Sequence, residues 1–138
     1  MKREDWRHRW LSSINELTSL DLQRRSWLDA ENTNPHWSFV EFMCCYFDDL
    51  AIDEDYKGIF KDDFITSGEY EVIKNWHEQL LKYQSPHGKD YGVEAVLNDD
   101  NWKAVVALGL KAKEILAGLL TKTEREILYC EIDHRQYG

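Results

Sequence analysis

Positive charge is what this sequence has least of relative to its opposite. Seventeen Lys and Arg stand against 26 Asp and Glu, a formal net charge of −9. Affinity for nucleic acid comes largely from neutralising phosphates, so this balance argues against a nucleic-acid binder. It argues equally against adsorption to anionic lipid. An acidic surface attracts a basic macromolecule instead, although solubility alone accounts for many acidic chains. Cysteine is sparse too. Cys44, Cys45 and Cys130 are odd in number, and two are adjacent on an apolar segment. That does not read as a disulfide framework but as buried, reduced thiols. No run approaches the ~20 apolar residues of a membrane span. The opening MKREDWRHRW is charged throughout and lacks the apolar core of a secretory signal. The expected chain is soluble and cytoplasmic.

Recognisable catalytic equipment is also missing. There is no Walker sequence and no clustered G-x-G-x-x-G, so no phosphate cradle is expected. "HEQLL" at His77 lacks the second histidine of a zinc-protease helix. Glu131-x-x-His134 and Asp5-x-x-His8 have di-iron spacing, but such bundles need further inward-facing glutamates. No metal and no cofactor are therefore expected. Asp48-Asp49 and Asp62-Asp63 do not stand out among so many acids as a catalytic dyad. Cys44 or Cys45 paired with His77 across facing helices is the one enzymatic arrangement available. A reactive thiol needs an electropositive setting, whereas these lie among Phe, Met and Tyr and precede a run of acids. Residues 1–25 are locally basic in "RHRW" and "QRRSW". Six Lys or Arg against four acids leave only +2 there, too little for a DNA-reading helix-turn-helix.

What the chain does have is aromatic and apolar material in helical order. Six tryptophans and 43% hydrophobic residues supply a core that a disordered chain lacks. Trp6, Trp10, Ile14 and Leu17 predict an amphipathic helix over residues 3–18. A short helix follows around Leu22 to Leu28, with Asp21 able to cap it. Asn34-Pro35 marks a helix start. Phe39, Phe42, Met43, Tyr46, Phe47 and Leu50 then form one continuous stripe. Residues 51–65 read as irregular, with "GIFKDDFIT" the one stretch able to supply a short extended segment. Thr66-Ser67-Gly68-Glu69 is a capping box ahead of Tyr70, Ile73, Trp76 or His77, Leu80 and Tyr83 or Gln84. "SPHGKDYG" ends that helix. Asn98 is placed to cap the next one, with a face of Trp102, Val105, Leu108, Ala112, Ile115 and Leu119. Thr123 and Glu126 mimic a second capping box before "REILYCEI". With no repeat, no linker and no alternating β pattern, residues 1–138 are expected to form a single all-α domain, a bundle of five or six helices.

The densest acidity directly follows the most apolar helix. Residues 48–63 hold seven acids against Lys57 and Lys61, with Tyr56, Phe60 and Phe64 interleaved. One reading is a solvated loop whose aromatics turn back into the core. The sharper reading is a docking surface, with aromatic anchors in an acidic field suited to a basic protein. Its candidate contacts are Asp48, Asp49, Asp53, Glu54, Asp55, Tyr56, Asp62 and Asp63, with the preceding helix as pedestal. "FDDLAIDEDYKGIFKDD", the chain length and the lack of an active-site motif together resemble the bacterial toxin-immunity proteins, including those of contact-dependent growth inhibition. The resemblance is one of overall character and carries over no site residues. It implies a small cytoplasmic protein that binds and blocks a cognate toxin, often through acidic surface facing a basic nuclease domain. Two other readings stand beside it. One is an enzyme or cofactor carrier using Cys44 or Cys45 with His77 between helices. The other is a self-associating subunit whose tryptophans bury a dimer interface.

Overall fold

The spacing of Trp6, Trp10, Ile14 and Leu17 does produce a helix, α1 (Arg3–Leu17), and all four side chains are buried. In the computed structural model the described residues are 2–29, 39–48, 50, 52, 56, 58–59, 63–84 and 93–130. Among them the fold is an all-α bundle of seven helices, more than the five or six expected, and no strand occurs. After α1 come α2 (Leu20–Trp27), α3 (Phe39–Phe47), α4 (Ser67–Lys82), α5 (Val93–Asn98), α6 (Asp100–Ala117) and α7 (Lys122–Leu128). The extra element is α5. Residues 93–98 are helical, so Asn98 ends a helix, and Asp99 caps α6 by accepting from the Asn101 N–H. None of these helices is long and apolar enough to cross a membrane.

Local chemistry sets the boundaries. Ser19, not Asp21, caps α2 by accepting from the Leu22 N–H, which leaves Asp21 to pair with Arg25 one turn on. The expected capping box at Thr66 and Glu69 is formed in full at the start of α4. The second box is shifted by two residues. Thr121 and Glu124 make it, because α7 begins at Lys122 and only Thr121 occupies the extended position before the first turn. In "GIFKDDFIT", Gly58 and Ile59 have helical backbone and residues 63–65 turn and bend, so its described part is not extended. Asn34 and Pro35 lie outside the described residues, as does "SPHGKDYG".

One apolar cluster runs through every long helix. Phe39, Phe42, Tyr46 and Leu50 of the predicted stripe are buried, with Met43 and Phe47 packed against them. Phe39 meets both Trp27 and Trp102 edge to face, and the two indoles lie tilted against each other, joining α2, α3 and α6. Every tryptophan among the described residues, Trp6, Trp10, Trp27, Trp76 and Trp102, is in this core. The cysteines depart from expectation: Cys44 and Cys45 are half-buried, Cys130 is exposed, and none is bridged.

α4 packs along α6 in the opposite direction, and α1 lies across α3 and α7. The α4–α6 approach passes through Gly109. A Cβ there would sit 2.7 Å from both Thr18 Cγ2 and Trp76 Nε1. Trp76 is 1% exposed, and Thr18 is fixed by its hydroxyl donating to the Ile14 carbonyl, so neither can retreat. Gly109→Ala should gain about 1 kcal/mol of helix propensity and lose about 1–3 kcal/mol to overpacking. We expect the overpacking to win and the thermal midpoint to fall. Gly118→Ala is the control. Its Cβ would meet only the Ile115 carbonyl, at 3.4 Å, so that variant should melt no lower than the parent.

The buried seam of α6 is Trp102, Val105, Val106, Gly109, Ala112 and Leu116. This corrects the expected face. Leu108 is only half-buried, and Ile115 and Leu119 point to solvent.

Candidate functional site

The acidic segment is mounted on the bundle through its apolar members. Leu50, Ile52, Tyr56 and Ile59 are all buried, each 7% exposed or less. At either end Asp48 and Asp63 are exposed. Tyr56 and Asp63 both have φ of 58°, in the left-handed region. For Asp this is a tolerated turn conformation. For a bulky Tyr it costs about 1–3 kcal/mol and persists only where tertiary contacts hold it.

Some of those contacts come from α1. Trp6 Nε1 donates to the Leu50 carbonyl at 3.0 Å and Trp10 Nε1 to the Tyr56 hydroxyl at 3.3 Å. Arg3 Nε donates to the Asp63 carbonyl at 2.9 Å and Arg7 to the Phe64 carbonyl at 3.0 Å. Two pairs spaced by four residues on one helix face thus grip the segment at four points. Phe64 also stacks on Trp6 with ring centroids 5.2 Å apart. The helix before the segment holds it too, through the Ile52 N–H donating to the Phe47 carbonyl and the bond between the Tyr46 and Tyr56 hydroxyls, and the N-terminal helix adds the four bonds above. Sequence reasoning missed this second support. The available signal was two Arg and two Trp at matching helical spacing.

Arg7 is the centre of the clamp. It makes a two-pronged pair with Glu69, at 2.9 and 2.6 Å, and its Nε reaches Glu124 at 2.7 Å. Arg7 is 5% exposed. Burial alone would lower its pKa, but the hydrogen bonds to Glu69 and Glu124 outweigh that and raise it. Glu124 feels the reciprocal effect: burial would raise its pKa, and Arg7 overrides this and lowers it. Glu69 and Glu124 are each the third residue of a capping box. One guanidinium therefore ties the starts of α4 and α7 to α1.

Of the predicted contact residues, the structure places Asp48 and Asp63 at the surface and Tyr56 in the interior. Asp49, Asp53, Glu54, Asp55 and Asp62 lie outside the described residues. Tyr56 as an exposed anchor is corrected: it is 0% exposed, because its hydroxyl is drawn into a buried polar chain. That hydroxyl bonds Tyr46, whose own hydroxyl shares a hydrogen bond of 3.0 Å with His77 Nδ1. Burial is the main cause pushing both phenols above their ordinary pKa.

His77 is thus joined to Tyr46 inside the core, at 0% exposure. Cys45 Sγ lies 3.8 Å from Glu41 Oε1, one turn back on its own helix. Among the described residues, no three His, Cys, Asp or Glu side chains converge as metal ligands. Glu131 and His134 fall outside them.

A groove of about 740 Å³ lies between the last turn of α4 and the outer face of α6. Lys82 and Tyr83 stand on one side, Asn101, Ala104, Leu108 and Lys111 on the other. Tyr83 donates its hydroxyl to Asp99 Oδ2 at 2.9 Å, which ties the end of α4 to the cap of α6. Set against family models, curated proteins and solved structures, the chain finds no match in any of the three.

Proposed function

We propose that this is a binding protein that recognises and inhibits a basic protein partner, in the manner of a toxin-immunity protein, through the acidic segment at residues 48–63. The observation that supports this reading most is the division of labour within that segment. Its apolar residues Leu50, Ile52, Tyr56 and Ile59 are buried, while Asp48 and Asp63 at its two ends face solvent. Hydrogen bonds from α1 hold it at Leu50, Tyr56 and Asp63, with a fourth at Phe64 just beyond. Points already held lose little entropy on docking, so the charge carried beside them acts on association with less offset. The field of five net negative charges across sixteen residues steers a cationic partner.

The test changes charge without touching the anchors. Asp48, Asp53, Glu54 and Asp55 are changed to Lys, and Asp63 to Asn, which retains tolerance for the left-handed backbone. The thermal midpoint should stay close to that of the parent, since Asp48 and Asp63 are exposed and the buried anchors are unchanged. In copurification from native cells the parent should retain a basic protein, and the variant should lose it. With the purified pair, association should slow and its dependence on salt should flatten. Retention of the same partner by the variant, or a partner that is itself acidic, would overturn the proposal.

A further inference from the structure

The outer face of α6 carries apolar side chains that the interior does not fully cover. Ala104, half-buried Leu108 and Ile115 recur at helical spacing, with Ile115 62% exposed, and Leu119, 52% exposed, lies in the turn that follows the helix. From Ala104 to the helix end at Ala117 the stripe extends about 20 Å, nearly four turns. Its first half is one wall of the groove closed on the other side by the end of α4. Ala104 and Ala107 have small side chains, so another backbone can approach that wall closely.

The charge of the groove is the reverse of the chain's. Lys82 and Lys111 line it, and among the described residues no Asp or Glu does. Neither lysine has an ion-pair partner among the described residues. In a chain of net charge −9, a concavity lined by two cations, with no acid among its described lining residues, selects for an anionic occupant.

We propose that the groove and the stripe beyond it dock an amphipathic helix of a partner protein, about four turns long, whose apolar face is flanked by Asp or Glu. A second copy of this chain fits less well. Two α6 stripes pairing about a twofold axis overlap best around their midpoint, close to residue 111, which brings the two Lys111 side chains together. An acidic helix converts that repulsion into attraction. The groove itself is separate from the acidic segment: α4 starts at Ser67, just past Asp63, and its 16 residues place Lys82 about 24 Å away. The far end of the stripe, Leu119, lies instead near Gly68 at the start of α4.

The probes are two synthetic four-turn helical peptides with the same Leu stripe, one flanked by Glu and the other by Lys, followed by fluorescence anisotropy. The Glu peptide should bind at least about tenfold more tightly than the Lys peptide. Lys82→Glu with Lys111→Glu should reverse that order, and Ile115→Asp should abolish binding of both. All three positions are at the surface, so thermal melts should show the variants folded. The charge variant of the acidic segment should bind the Glu peptide as the parent does, which separates failure here from failure of the proposed function. Equal binding of both peptides, or indifference to the lysine changes, would overturn the proposal. So would decanoate binding that the lysine changes abolish, with no peptide bound, which would assign the groove to a small amphiphile. Concentration-dependent dimerisation in sedimentation, lost in Ile115→Asp, would assign the face to a second copy.

Discussion

Arg7→Met should cost about 3–5 kcal/mol, measured as a lower denaturation midpoint in guanidinium. Removing the guanidinium leaves the Glu69 carboxylate, 2% exposed, inside the protein without its cation. It also frees the starts of α4 and α7 from α1 and leaves the Phe64 carbonyl without that donor. A buried ion pair contributes little net stability against well-packed apolar groups, but half of one is expensive. The test of that explanation is Arg7→Met combined with Glu69→Gln. Glutamine still serves at the third position of a capping box, so the change removes charge and keeps the cap. The double variant should recover a substantial part of the loss. No recovery would mean that packing around Arg7, and not the orphaned charge, carries the cost. The pH dependence gives a second check. Glu124 has a lowered pKa in the folded protein, so its contribution is present above the ordinary carboxylate value of 4.5 and is lost as pH falls through the folded value. Arg7→Met should weaken that acid-side dependence, leaving the smaller part that the Thr121 hydrogen bonds supply.

The second large effect has the opposite sign. Glu16, in the last turn of α1, is 7% exposed, and burial pushes its carboxyl up to about 7 from 4.5. The negative end of the helix dipole also disfavours an anion there. A raised acid pKa means that the folded state holds a proton that the unfolded state has released. Stability is therefore lowest above pH 7, rises as pH falls from 7 to 4.5, and is unaffected by this group below that. The gap of about 2.5 pH units corresponds to about 3 kcal/mol. Glu16→Gln should be more stable than the parent by about that amount at pH 8, converge with it near pH 4.5, and show a flatter profile between. Parallel profiles for the two proteins would refute the assignment.

How much of this was visible beforehand differs by element. Where one apolar stripe faces one core, as in α1, α3 and α4, periodicity alone located both the helix and its buried side. The capping box at Thr66 and Glu69 is purely local chemistry and was legible for the same reason. α6 misled because it carries two apolar stripes. The buried one passes through Gly109, which adds nothing to a hydrophobic pattern, while Ile115 and Leu119 add a great deal to the exposed one. Arg7 reads in sequence as an ordinary solvated charge. Its burial depends on Glu69 and Glu124, 62 and 117 residues away. Tyr56, set among acids, could be read either as a docking anchor or as an aromatic turned back into the core, and the structure shows the second. Its burial depends on a left-handed backbone and on hydroxyl partners from α1 and α3, neither of which leaves a local mark.

The bond between Arg7 and Glu124 and that between the Asn15 amide and the Cys130 carbonyl span 117 and 115 residues. A chain emerging from the ribosome at 5–20 residues per second must wait on the order of ten seconds between exposing α1 and supplying α7. During that interval Arg7 and Asn15 lack the partners they find in and just after α7. Synthesis interrupted within α6 would release a sticky, unfinished polypeptide. Completion of α7 thus governs when α1 becomes safe from aggregation, and holdase chaperones have most to do in the seconds before it is made.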